Sequence, residues 1–415
     1  MLQIWFFANT ILWPFDVEIY GLKLGLNVVV LLLSGVIWLS TKQKVTTFSI
    51  NVALAVIAYM LFSCLAAMAG PCYDKFQKLF YTFPVFTSLI FIGLEIGRSS
   101  SEEDWLKLQK TAALILLVTF AGFVIEMLFP GSFPIQAGYR SEGKYSGIFS
   151  EPSLVAYSLF PCILILFEAQ RKQLRNIGIL SLCGLLLISR SSTLLALIVV
   201  LILYRLIRNR DLRRSMWVIF GGLLILGFAS ISNYDLLVGP TVERLAGVIN
   251  PVRIHNLSSL AYLQGWQDAW SNLLRTNGLG LGFNMMGCSP LPDVPARATI
   301  SHVFNMQIND QDGTFLFSKF VSETGIAGLI FFLAIIWWWF KIELIFAGSK
   351  YKMQRPAVSI QLAFFLSFVA TSLIRSIGYF SGSFFLLIVA IAATGKWQRI
   401  RNTRIFKVRQ IRNLI

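Results

Sequence analysis

The sequence predicts an all-α polytopic membrane protein of about eleven or twelve crossings, a helical bundle carrying one large loop on its outer face. Three observations predict it. Hydrophobic residues make up 56% of the 415-residue chain and charged residues only 13%, about half the charge of a soluble domain. Apolar runs repeatedly approach the roughly 20 residues that cross a bilayer, and mean hydropathy is +0.69. The lysines and arginines behind the net charge of +16 sit in short clusters between those runs, which is the positive-inside pattern and excludes nucleic acid as a partner.

Taken in order, apolar spans are expected over 22–40, 50–69, 79–97, 111–129 and 154–167, each bounded by charged or Gly/Pro loops. The first ten or so residues are too short to be assigned a span. They lack a basic stretch and a small-residue cleavage site, so the N-terminus is read as retained. After Arg171, Lys172 and Arg175 comes an apolar stretch interrupted at Ser189-Arg190-Ser191-Ser192 and closed by Arg205, Arg208 and Arg210. One helix cannot join two basic clusters of the same sidedness. Two short spans, 177–188 and 194–207, send the chain out and back with Arg190 at the far turn. Further spans are expected over 216–232, 326–340, 357–374 and 379–394.

About 24 lysines and arginines fall in one set of loops, against roughly ten on the other side, so the first set is cytoplasmic. The chain then divides into N-terminal membrane helices (1–232), a large outer loop (233–313), C-terminal membrane helices (314–394) and a basic cytoplasmic tail (395–415), the tail being suited to anionic lipid. A loop on the order of 80 residues is uncommon unless it has work to do. Within it, the spacing of Leu260, Leu263, Trp266, Trp270, Leu273 and Leu274 predicts an amphipathic helix along the membrane surface. A second amphipathic stretch is expected over 302–323, leading into the next span. Cys64, Cys162 and Cys183 lie in apolar spans; the odd total and wide separation of Cys72 and Cys288 give no disulfide framework. Two histidines and no CxxC leave no metal site of the Cys/His type.

The outer surface gathers Arg140, Lys144 and Glu151, Arg190 at a turn, then Arg253, His255, Arg275, Asp310, Asp312, Lys319, Glu323 and Arg375. Positive charge there runs against the general trend and calls for an anionic ligand such as a diphosphate, which guanidinium forks bind in pairs of hydrogen bonds. For Arg190 and Arg375, between apolar spans, the alternative is snorkelling at a helix end. Glu151 beside Pro152 is either a helix-start charge favoured by the dipole or a carboxylate that accepts a proton from a hydroxyl. His302 is either a surface histidine or a base.

In order along the chain, GYRSEGKYSGIFSEPS at the head of a membrane helix, ISRSSTLLALIVVLILY, SSLAYLQGWQDAW followed by GLGLGFN, FVSETGIAGLIFFLAIIWW and IRSIGYFSGSFFLLIVA resemble the O-antigen polymerase and O-antigen ligase superfamily, from about Arg140 to Thr394. The resemblance implies a bacterial inner-membrane glycosyltransferase with a GT-C-like bundle, whose active site faces the periplasm. It would use undecaprenyl-diphosphate-linked oligosaccharides, with no nucleotide sugar, metal or other cofactor. A chain-length regulator and a flippase would be partners besides the lipid bilayer. It further implies that Arg140, Arg190 and an arginine of the large loop bind the donor diphosphate; from the residues themselves, Arg253, Arg275, Arg375 and Tyr379 are expected in the same glycan and diphosphate set, and Glu151, Asp312 or His302 as the base. The position where ligases carry a histidine before the Glu323-Thr324-Gly325 turn is Thr314, although His302 precedes Gly313 by the same spacing. Asn309, Asp310 and Asp312 suit a polymerase instead. The arginine usual near the position of Ala261 is missing, and Arg253 stands in for it. Ligase and lipid-linked oligosaccharide flippase are the rival expectations.

Overall fold

A computed structural model describes residues 1–12, 15–19, 22–41, 45–68, 76–132, 145–189, 191–208, 257–288, 290–310, 313–347, 356–375 and 378–394. Its elements are α1 (Leu2–Phe7, continued by a π turn over Ala8–Leu12), β1 (Asp16–Ile19), β2 (Leu22–Gly25), α2 (Leu26–Ser40), α3 (Thr47–Met68), α4 (Phe76–Ser99) and α5 (Glu102–Leu128). There follow α6 (Pro152–Phe167), α7 (Lys172–Ser189), α8 (Ser192–Arg208), α9 (Leu257–Arg275), α10 (Pro295–Phe304), α11 (Leu316–Thr324), α12 (Ile326–Ala347), α13 (Pro356–Ile374) and α14 (Gly382–Thr394). The predicted span over 216–232, residues 233–256 of the large loop and the tail over 395–415 lie outside the described residues.

Three helices, Glu102–Leu128, Ile326–Glu343 and Ala357–Ile374, are long and apolar enough to cross a membrane. They mark the chain as a helical membrane protein. Shorter apolar helices stand at Leu26–Ser40, Thr47–Ser63, Pro152–Phe167, Thr193–Tyr204 and Gly382–Thr394, where spans are expected.

Local chemistry accounts for the helix ends. Ser101 opens α5 by accepting from the Asp104 N–H at 3.2 Å while Asp104 accepts from the Ser101 N–H at 2.9 Å, with Glu102 and Glu103 adding charge that the helix dipole favours. Glu151 stands at the N-cap position of α6 without a side-chain capping bond, and Pro152 takes the first turn, where the missing N–H costs nothing. The break between α7 and α8 falls at 190–191, as the two basic clusters require.

The centre of the bundle is α6, apolar on every side and buried from Leu154 to Leu166, as expected of a helix with no polar face. It packs against α5, α7, α8 and α13. Trp5 and Phe6 of α1 are fully buried in the same core, with Phe6 5.7 Å from Phe364 between ring centres. The N-terminal segment is thus a core element.

Two expectations are corrected. The span over 22–40 starts four residues late, because Leu22–Gly25 pairs antiparallel with Asp16–Ile19, Glu18 opposite Lys23 and Val17 opposite Leu24. Strict alternation of apolar and charged residues gives this stretch a period of two, the strand period, so the chain is not wholly helical. The amphipathic stretch over 302–323 is also not one helix. Asn305 closes α10 in the left-handed region (φ 50°), and Asn309, Gly313 and Thr314 also have positive φ before α11 begins.

Candidate functional site

The segment 145–151 precedes α6 and is tied down at both ends. Glu126, near the end of α5, is buried and accepts the N–H groups of Ser146 (3.1 Å) and Gly147 (2.7 Å) through Oε2. The Tyr145 N–H donates to the Ile188 carbonyl at 3.4 Å, which fixes the segment to the end of α7, two residues before Arg190. At the other end, Glu151 Oε1 accepts from Arg375 Nη2 at 3.1 Å. Arg375 follows the last turn of α13, where its N–H still reaches the Thr371 carbonyl. Its side chain is 32% exposed and that of Glu151 is 12% exposed, so the pair sits at the edge of the bundle. Arg375 Nε is buried and has no hydrogen-bond partner among the described residues. A buried guanidinium N–H without an acceptor is costly unless a ligand supplies one.

A second polar cluster joins α9 to α10. Arg297 Nη2 meets Asp268 Oδ2 at 2.9 Å while its Nε meets Asp310 Oδ1 at 3.2 Å. Gln264 Nε2 donates to the Ile308 carbonyl at 3.1 Å. Burial pushes the Asp268 carboxyl up to about 6, outweighing the lowering by Arg297. A folded-state value above the unfolded one of 3.8 means the folded protein holds a proton that the unfolded chain has released. Stability from this group is complete below about pH 4 and lost as pH rises through about 6, a loss of about 3 kcal/mol. Asp268→Asn should flatten the stability profile across that window, as measured by thermal unfolding in detergent from pH 4 to 7; an unchanged slope contradicts the assignment.

The third cluster surrounds Glu323, which is fully buried at the end of α11. Its Oε2 accepts from the Asn284 N–H at 2.6 Å and from the Tyr379 hydroxyl; its Oε1 accepts from the Met286 N–H at 2.8 Å, with Lys319 Nζ at 3.8 Å. The Glu323 carbonyl also accepts from the Gly282 N–H. The Gly278–Met286 run therefore wraps the Glu323-Thr324-Gly325 turn. Two glycines permit this contact: a Cβ on Gly325 (φ 62°) would lie 2.0 Å from the Gly278 carbonyl oxygen, and one on Gly280 (φ 82°) 2.4 Å from the Glu323 carbonyl oxygen. The same run docks on α3, where the Phe283 N–H donates to Ser63 Oγ at 2.6 Å.

The expected site residues thus separate. Glu151 and Arg375 come together. Tyr379 is buried with its hydroxyl on Glu323. Arg275, exposed at the end of α9, donates to the Pro290 carbonyl at 2.5 Å. His302 is exposed on α10. Arg140, Arg190, Arg253 and Asp312 lie outside the described residues. Sequence reasoning missed Glu126, Asp268 and Arg297. The signal for Asp268 was present in the i, i+4, i+8 row Gln264, Asp268, Asn272, a polar stripe on a helix otherwise read for its leucines. Cysteine pairing also differs from the expectation: Cys288 is disulfide-bonded, whereas Cys162 and Cys183 are free. Among the described residues no group of three or more His, Cys, Asp or Glu side chains is placed to hold a metal ion. No protein-family model and no curated protein matches this chain.

Proposed function

We propose that the protein is a membrane glycosyltransferase that joins undecaprenyl-diphosphate-linked oligosaccharide units into a surface polysaccharide such as O-antigen, on the periplasmic side of the inner membrane within a GT-C-like bundle. The observation that carries the reading is the Arg375 guanidinium, aimed by Glu151 and left with a buried N–H that lacks an acceptor. A diphosphate oxygen fits that N–H, and the fork geometry of arginine suits it. Arg190 and Arg140, which lie outside the described residues, enter as further proposed diphosphate ligands on the sequence resemblance alone. The disulfide at Cys288 supports an oxidising, extracytoplasmic setting for the large loop.

In this reading the terminal sugar hydroxyl of one lipid-linked unit attacks the anomeric carbon of a sugar on the diphosphate of another. The glycosidic bond forms as undecaprenyl diphosphate leaves, taking the bonding electron pair, and the hydroxyl proton passes to a base. The leaving group is already activated, so the protein chiefly orients two substrates and neutralises charge. Glu151, bonded to Arg375, is the described carboxylate best placed as base, with Asp312 and His302 as the other candidates. Thr314 at the ligase histidine position favours polymerase over ligase; its hydroxyl is committed to the Ala261 carbonyl at 2.9 Å.

The test is a gel profile of surface polysaccharide from cells with the gene deleted and then restored. A lipid core carrying a single repeat unit supports polymerase. A bare core with lipid-linked polymer accumulating would point to ligase, and unpolymerised units held on the cytoplasmic side to a flippase.

A further inference from the structure

Helix α9 is inside out for a helix facing water. Its buried side carries Leu260, Ala261, Gln264, Gly265, Asp268, Ala269 and Asn272, so the polar side chains of Gln264, Asp268 and Asn272 point into the protein. Its outer side carries Trp270, 63% exposed, and Leu274, 60% exposed. Sequence periodicity assigns Leu260, Leu263, Trp266, Trp270, Leu273 and Leu274 to one apolar face, and the structure divides that face. Leu260 turns inward onto Ile300, Trp266, 38% exposed, leans on Phe315 and Phe317 with ring centres 5.2 Å away, and Trp270 and Leu274 stand furthest clear.

This outward edge does not end with the helix. Leu279, also exposed, follows it, and the Gly278 carbonyl accepts the Ile326 N–H at 2.8 Å, which sets Leu279 beside the start of α12. From there Ile326, Ile330, Leu333 and Trp337, all exposed, continue at spacings of four, three and four residues down one face of α12. That helix is long and apolar enough to cross a membrane, so its outward face meets acyl chains. The geometry points to the lipid bilayer as the occupant of the α9 edge: residues 270–279 are seated in the membrane interface, in one continuous apolar band with α12. Trp270 supplies the ring that favours the interface, and Arg275, exposed beside Leu274, supplies a head group that reaches water. The inverted polarity follows, because the lipid takes the apolar side and the Asp268–Arg297–Asp310 cluster takes the polar one. This inference does not depend on the proposed reaction.

The full chain, reconstituted in vesicles of phosphatidylethanolamine and phosphatidylglycerol carrying a radioactive label, tests it. Benzoylphenylalanine in place of Trp270, and separately of Leu274, Ile330 or Ser301, is irradiated and adducts are resolved on gels. Ile330 reports correct insertion, and Ser301, exposed on α10, is the aqueous control. Lipid adducts from positions 270 and 274 should match those from 330 and exceed those from 301 by on the order of tenfold. Adducts to a second copy of the chain or to another protein would overturn the lipid assignment, as would yields at 270 and 274 no higher than at 301.

Discussion

Glu323→Ala should be the most damaging single substitution in the described chain, costing on the order of 3–5 kcal/mol, because it takes a fully buried carboxylate from beside Lys319 and strips two backbone N–H groups and a hydroxyl of their acceptor. The Gly278–Met286 run would lose its hold on the α11 turn. Thermal unfolding in detergent should show a large fall in midpoint together with low yield. Glu323→Gln keeps one acceptor oxygen and should lose about half as much. Tyr379→Phe, removing a single hydroxyl donor, should cost about 1–2 kcal/mol. A Glu323→Ala protein as stable as the parent would show that the carboxylate does not organise this turn. Because the Tyr379 hydroxyl is spent on Glu323, Tyr379→Phe should lower stability more than it lowers polymer synthesis; the reverse order would restore Tyr379 to direct substrate contact.

Arg375→Ala should do the opposite: lose activity and leave the fold nearly intact. The Glu151–Arg375 pair is partly solvated, and pairs of that kind contribute about 0–1 kcal/mol. In the proposed role of donor to developing diphosphate charge, however, Arg375 should be worth on the order of a hundredfold or more in polymer synthesis. Arg375→Lys should recover little, since an ammonium lacks the planar fork. Glu151→Gln should show an intermediate loss, and the double variant should lose less than the sum of the two, as expected of groups acting as a unit. Wild-type polymer from Arg375→Ala would remove the diphosphate role. Equal losses in polymer and in melting temperature would make the pair a structural clamp.

Much of the fold was legible from local pattern. The break between α7 and α8 followed from two basic clusters that one helix cannot join, and the starts of α6 and α12 lie within two residues of the expected spans. The hairpin before α2 was missed because hydropathy summed over a window hides a period of two. The two helices α10 and α11 were read as one because apolar spacing continues across asparagines whose left-handed backbone ends the first. At the candidate site, unusual outer charge singled out Arg375 and Glu151, but nothing in the sequence paired them across 224 positions. Asp268 and Arg297 passed unnoticed because a polar row on an amphipathic helix reads as the side facing water.

What the sequence by itself determined was where most of the apolar helices form and which are apolar enough for a membrane. These are properties of contiguous residues, set by hydropathy, helical period and end-capping chemistry. Only the tertiary structure decided which faces meet. It turned the polar side of α9 inward and the tryptophan side outward, closed Glu323 inside a glycine-rich loop, and set Arg375 against Glu151. Each of those outcomes depends on satisfying buried donors and acceptors across distant segments, a constraint that exists only once the helices are packed.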